Sequence, residues 1–148
     1  GSRLRIAAGL LALLSLSQVT FAQAPVQPRT GELPTDARGK PLNFDFETGT
    51  LKDWTVEGDA FEKQPVRGDT VSRRRGDMKS NHAGEYWIGT YEVGGDEPQG
   101  TLTSVPFVVR QPWASFLIAG GSEPTSCVEI LQKEGGKLIA RASGTNTA

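Results

Sequence analysis

Three acids, Asp45, Glu47 and Asp53, flank a Thr48-Gly49 turn signal. Oxygen ligands gathered at a glycine turn suit a hard cation, so Asp45 and Glu47 are candidate ligands for a structural calcium ion. The same alternation also fits the solvent side of a strand, which is the commoner use of such acids. Zinc is disfavoured because His82 and Cys127 are the single histidine and the single cysteine, leaving carboxylates to supply most of the ligands. Ser80 and His82 stand two residues apart, but no G-x-S-x-G elbow surrounds them and their segment is arginine-rich. Facing carboxylates could hydrolyse a glycosidic bond. With 17 acids such pairs arise by chance, and none has a local context that would raise its pKa. The chain is therefore read as non-catalytic.

Binding chemistry is better represented. Trp54, Trp87, Trp113, Tyr86 and Tyr91 are the planes on which a pyranose ring could stack, its hydroxyls meeting the polar tips. Upstream of the last two tyrosines lies the run Arg73-Arg74-Arg75, able to hold phosphate or an acidic glycan, or simply to be a solvated charge run balanced by Asp69 and Asp77. Arg73, Arg74, Arg75, His82, Tyr86, Trp87 and Tyr91 form the candidate ligand surface. Arg67-Gly68-Asp69 and Arg75-Gly76-Asp77 both spell an adhesion-type tripeptide, a pattern that arises readily in loops of this composition.

These residues need elements to carry them. Leu42, Phe44 and Phe46 alternate with Asn43, Asp45 and Glu47, and this period of two predicts an opening strand with its aromatics on one face. Asp53–Glu57 is the expected second strand, with Trp54 turned inward. Further strands are expected over Tyr86–Tyr91, Gly100–Ser104, Phe107–Arg110, Ala114–Ala119, Cys127–Gln132 and Leu138–Ala142. Within Tyr86–Tyr91 the alternation puts Tyr86, Ile88 and Thr90 on one face and Trp87, Gly89 and Tyr91 on the other. Gly- and Pro-rich turns separate these runs, and no long amphipathic helix is predicted in the body of the chain. Such spacing predicts an all-β fold, an antiparallel sandwich or jelly roll. Residues 63–85 fit no strand and read as a long loop, mobile or ligand-facing.

The 148-residue chain begins with a segment of a different kind. Arg3 and Arg5 precede the apolar run Ile6–Leu16, and Ala22-Gln23-Ala24 offers small residues for a signal peptidase, so residues 1–24 read as a signal peptide. An uncleaved anchor is the alternative, disfavoured by the short apolar run. Residues 25–41, rich in Pro, Gly and charge, read as a flexible linker, and residues 42–148 as the domain. Removing the leader takes two of the 16 basic residues and no acid, which leaves fourteen against 17 and a formal charge of −3. That balance gives no general attraction to nucleic acid or anionic membranes. A lone cysteine allows no internal disulfide. The expected location is secreted or periplasmic.

The segments "FDFETGTLKDWTVEGDAF", "NHAGEYWIGTYEVGGDEPQGTLTSVPFVV", "ASFLIAGGS" and "CVEILQKEGGKLIARASG" carry a resemblance over residues 43–144. Together and in this order they resemble an accessory β-sandwich module found beside the catalytic domain of secreted fructan-hydrolysing glycoside hydrolases of family 32. The order is also similar to modules of large exported bacterial proteins that carry cytochrome c segments. The resemblance implies a jelly roll of the galactose-binding or carbohydrate-binding kind without its own catalysis, with a polysaccharide as ligand and a catalytic or cytochrome domain as neighbour. It implies too that strands lie beyond residue 148, since in the family the module continues through a "VDL"-like strand and a Gly-Trp-Gly-His-containing one.

Overall fold

The computed structural model describes residues 31–146; the signal-peptide reading of residues 1–24 lies outside them. In chain order the elements are β1 (Trp54–Gly58), β2 (Val66–Arg67), α1 (Thr70–Arg74), β3 (Tyr86–Trp87), α2 (Thr90–Gly94), β4 (Gly100–Ser104), β5 (Cys127–Leu131) and β6 (Leu138–Ser143). The strands form three antiparallel pairs, β1 with β4, β2 with β3, and β5 with β6. The described chain is thus β-dominated, with two short helices. None of its helices is long and apolar enough to cross a membrane.

The chain enters through a turn built on Asp36, whose carboxylate accepts from the Arg38 and Lys40 amides at 2.9 Å each. Those hydrogen bonds, Lys40 first, hold the Asp36 carboxyl below its ordinary pKa. A bridge between Thr35 and Pro41 and the Leu42 amide on the Pro34 carbonyl close the turn. The part of the expected linker that is described, residues 31–41, is therefore folded onto the domain's first residues.

Residues 42–47 form no strand, contrary to the alternation. The cause is Asn43, which is 5 % exposed. Its amide nitrogen donates to the carbonyls of Thr50 (2.8 Å) and Lys52 (3.2 Å), and its amide oxygen accepts from the Thr48 N–H. Its backbone N–H donates to Asp53, and its carbonyl accepts from the Trp54 indole at 2.8 Å. A buried amide with every donor and acceptor engaged folds the backbone back on itself and outcompetes a ladder. Phe46 sits at φ 61°, in the left-handed region that bulky residues avoid. What compensates is aromatic packing: Trp54 stacks on Phe46 at 5.2 Å and meets Phe44 at 4.9 Å, and Phe107 joins Phe44 edge-on at 5.2 Å. The inward aromatics expected from sequence are in place, on a loop rather than a strand.

β1 and β4 pair from Trp54–Ser104 to Gly58–Gly100. The ladder ends where Asp59 and Gln99 exchange hydrogen bonds, the Asp59 amide to the Gln99 carbonyl and the Gln99 amide to the Asp59 carboxylate. Gly58, at φ 78°, is required there because a Cβ would run into the Gln99 carbonyl.

Beyond β4 the character changes. The strands expected at Phe107–Arg110 and Ala114–Ala119 are absent, and residues 106–119 form no backbone–backbone hydrogen bond among the described residues. Trp113, Leu117 and Val109 are 79 %, 75 % and 74 % exposed. The segment has strand-type side chains but no neighbouring backbone to pair with, and a lone strand pattern does not hold itself extended. The β5–β6 hairpin follows, with Cys127 opposite Ser143 and an irregularity at Ile130/Leu131. Arg141 and Glu129 pair across it. Leu131, Leu138 and Ile139 remain exposed. Among the described residues Leu42 and Val71 are the buried hydrophobic side chains, and neither is completely shut off from solvent.

Candidate functional site

The segment 63–92, read from sequence as a loop and a strand, is built of β2, α1, β3 and α2. α1 starts because Asp69 caps it: the carboxylate accepts from the Ser72 amide at 3.0 Å and again from the Ser80 amide at 3.2 Å. These amides, Ser72 first, hold the Asp69 carboxyl below its ordinary pKa. Val71 turns inward, and Arg73 and Arg74 occupy the last turn, where cations face the helix's negative end.

α2 is held by Gln64. This buried side chain donates to the Gly89 carbonyl at 3.0 Å and accepts from the Gly89 amide at 2.8 Å, which fixes the residue that opens the helix. Gly89 has no room for a Cβ, since one would lie 2.8 Å from the Trp87 ring. The strand expected over Tyr86–Tyr91 therefore stops at Trp87. Tyr91 belongs to a helix, and its expected common face with Trp87 does not form.

The two helices meet through charge. Arg74 reaches Glu92 with its Nη2 at 2.8 Å and its Nε at 3.4 Å, and its guanidinium lies 4.8 Å over the Tyr91 ring. The Glu92 side chain is only 6 % exposed. The hydrogen bond to Glu92 raises the Arg74 pKa. Tyr91 itself is 49 % exposed.

Trp87 is anchored by its indole N–H on the Gly68 carbonyl at 2.9 Å, and His82 stacks on its ring at 5.7 Å with the planes 21° apart. His82 Nδ1 is hydrogen-bonded to Ser80 Oγ. Among the described residues no carboxylate hydrogen-bonds this imidazole. Tyr86 points elsewhere, its ring against Gly49, where an added Cβ would lie 3.0 Å from it. Arg75 is paired with Asp77 at 3.0 Å, and Arg67 with Glu85 at 3.0 Å.

The seven residues expected to bind ligand are thus divided. Arg74 joins Tyr91, His82 joins Trp87, Arg73 lies near Gly68, and Arg75 and Tyr86 are committed elsewhere. Neither Arg-Gly-Asp tripeptide displays a free charge pair. Arg67 is held by Glu85 while Asp69 caps α1, and Arg75 and Asp77 hold one another.

The acids at the first turn are also occupied. One Glu47 oxygen accepts from the Glu85 amide at 2.9 Å and the Tyr86 amide at 3.1 Å, lying over Gly84 where a Cβ would collide with it. Asp45 accepts from the Glu47 amide at 3.2 Å. The two also line a shallow depression of about 290 Å³ with Asn43, Thr48, Lys52 and Asp53. No group of three or more His, Cys, Asp or Glu among the described residues is placed to hold a metal ion.

Sequence reasoning missed Glu92, Gln64 and the capping role of Asp69. The cap had a signal, an aspartate three residues before Ser72 at the start of a short run. Gln64 and Glu92 had none, because their partners are set by tertiary packing.

Comparison with known proteins places part of this chain beside a carbohydrate-acting name. It is 28 % identical over 100 residues, 68 % of its length, to a protein of Aspergillus rugulosus named as a glycosyl hydrolase, ecdE. The chain spans 14 % of that protein's length. No family model matches the chain. No solved structure matches it. The similarity is distant and relates the chain to a portion of a glycosyl-hydrolase-named protein.

Proposed function

We propose that the chain is a secreted, non-catalytic accessory module of jelly-roll type, carried in a longer polypeptide and binding carbohydrate. The observation that carries this reading is the similarity to a small part of a much longer protein named as a glycosyl hydrolase. A stretch that forms one seventh of such a protein fits an appended domain better than the whole reaction centre. The surface from α1 to α2 supports it, since an exposed tyrosine ring stiffened by an arginine is a suitable stacking plane for a sugar. Affinity electrophoresis of the chain through gels containing polysaccharides tests the reading. Retardation on at least one of them is expected, and free migration through all of them overturns it. Export is tested by expression with the leader intact, where a mature N-terminus at Pro25 is the expected mass.

A second reading, a structural module packed against a neighbouring domain, is favoured by the exposed apolar run from Val105 to Ile118. It predicts that the isolated chain self-associates and that attaching the neighbouring domain abolishes this. A monodisperse monomer at high concentration removes it.

A further inference from the structure

Resting on the carbohydrate-binding reading, we infer that the glycan taken by the α1–α2 face is an acidic one, whose uronate carboxylate is received by Arg73. Four arginines lie between Arg67 and Arg75, and three are already satisfied: Arg67 by Glu85, Arg74 by Glu92 and Arg75 by Asp77. Arg73 has no carboxylate partner among the described residues, so its planar fork of donors is open to a carboxylate from outside.

Its placement matters more than its charge. The Arg73 guanidinium folds back to 3.9 Å from the point a Cβ would occupy on Gly68. Gly68 is the residue whose carbonyl holds the Trp87 indole, and Trp87 carries His82 on its ring. One guanidinium without an ion-pair partner thus lies beside the backbone that anchors the stacked Trp87–His82 pair. A neutral glycan would use the rings and leave that guanidinium to water. A uronate uses both, the ring face on an aromatic plane and the carboxylate in the fork.

The arginine whose charge is spent has the complementary task. Arg74 is neutralised by the nearly buried Glu92, so it contributes position to Tyr91 rather than attraction for an anion.

The test is affinity electrophoresis of the full chain through gels of polygalacturonate, a neutral glucan and dextran sulfate, with Arg73→Gln and Lys133→Gln as variants. Lys133 lies in the exposed turn between β5 and β6 and removes the same unit of charge far along the chain from the site. Circular dichroism checks that both variants fold, as the exposure of both residues leads one to expect. The expected result is preferential retardation on polygalacturonate, weakened roughly tenfold by Arg73→Gln and unchanged by Lys133→Gln. Equal retardation on glucan and polygalacturonate overturns the acidic ligand and leaves the carbohydrate reading standing. Retardation strongest on dextran sulfate, with both variants alike, overturns it in favour of unspecific charge attraction. Free migration in all three gels overturns both readings together.

Discussion

Residues 33–104 and residues 105–146 are made of similar side chains and are held in opposite ways. In the first region the organising atoms are polar: Asn43 closes the loop before β1, Gln64 fixes the start of α2, and Glu47 ties that loop to β3. In the second, hydrogen bonds within the β5–β6 hairpin and a bridge from Gly121 to Asn146 set the backbone, while the apolar side chains face outward. The contrast shows that apolar content alone does not make a core. The run 105–118 is rich in apolar side chains and stays largely exposed, although Phe107 packs edge-on against Phe44. A few saturated polar side chains organise the first region, where Leu42 and Val71 are the buried hydrophobic side chains among the described residues.

Substitutions can break this comparison, and the largest effect belongs to Asn43. Asn43→Ala strands the Thr50 and Lys52 carbonyls and the Thr48 amide, and should cost about 3 kcal/mol in urea denaturation. A loss below about 0.5 kcal/mol would show that water replaces the amide and that the first region is not organised by it. Gln64→Ala should follow, at about 2 kcal/mol, because both bonds to Gly89 are buried. Its signature is faster amide hydrogen exchange at Gly89, while β5 and β6 keep their protection.

In the second region the expectation is near silence. Leu117→Lys should change stability by less than about 0.5 kcal/mol, and self-association measured by sedimentation should fall. A destabilisation of about 2 kcal/mol or more would mean that Leu117 is covered, and the contrast between the regions would collapse. The smallest effect is electrostatic. The Asp69 carboxyl is held below its ordinary value, so it binds a proton less readily folded than unfolded. Its contribution is complete above the unfolded carboxylate range and fades as pH falls through the folded value. Asp69→Asn should flatten the acid limb of a stability–pH curve. An unchanged limb would show that the cap adds nothing.

How far sequence reached follows the same division. β4 was legible to the residue and β1, β5 and β6 to within one residue at either end, because each alternates between turn residues and finds its partner within the described chain. Phe107–Arg110 and Ala114–Ala119 alternate as well and form no strand, since periodicity states which face is apolar and not whether another backbone lies alongside. The opening strand failed for a different reason: one asparagine offered the backbone better partners than a ladder. α2 went unread because Gly89 falls inside an alternating run, and only Gln64, 25 residues away, makes it a helix start. At the candidate site the residue types were legible and their pairing was not. That Arg74 would cover Tyr91 depends on how α1 meets α2, and no local pattern encodes it.

The Glu47 carboxylate has a consequence for how this chain comes apart. Its oxygen clasps amides 38 and 39 residues downstream, so the excursion from β1 through α1 is closed at its mouth by something other than covalent bonds. The exposed run from Arg73 to Lys79 carries tryptic sites at Arg75 and Lys79. A cut there leaves two fragments still clasped, co-eluting as one species under native conditions and separating only in denaturant. Replacing Glu47 with glutamine, which keeps an acceptor oxygen but removes the charge, measures how much of that grip is ionic.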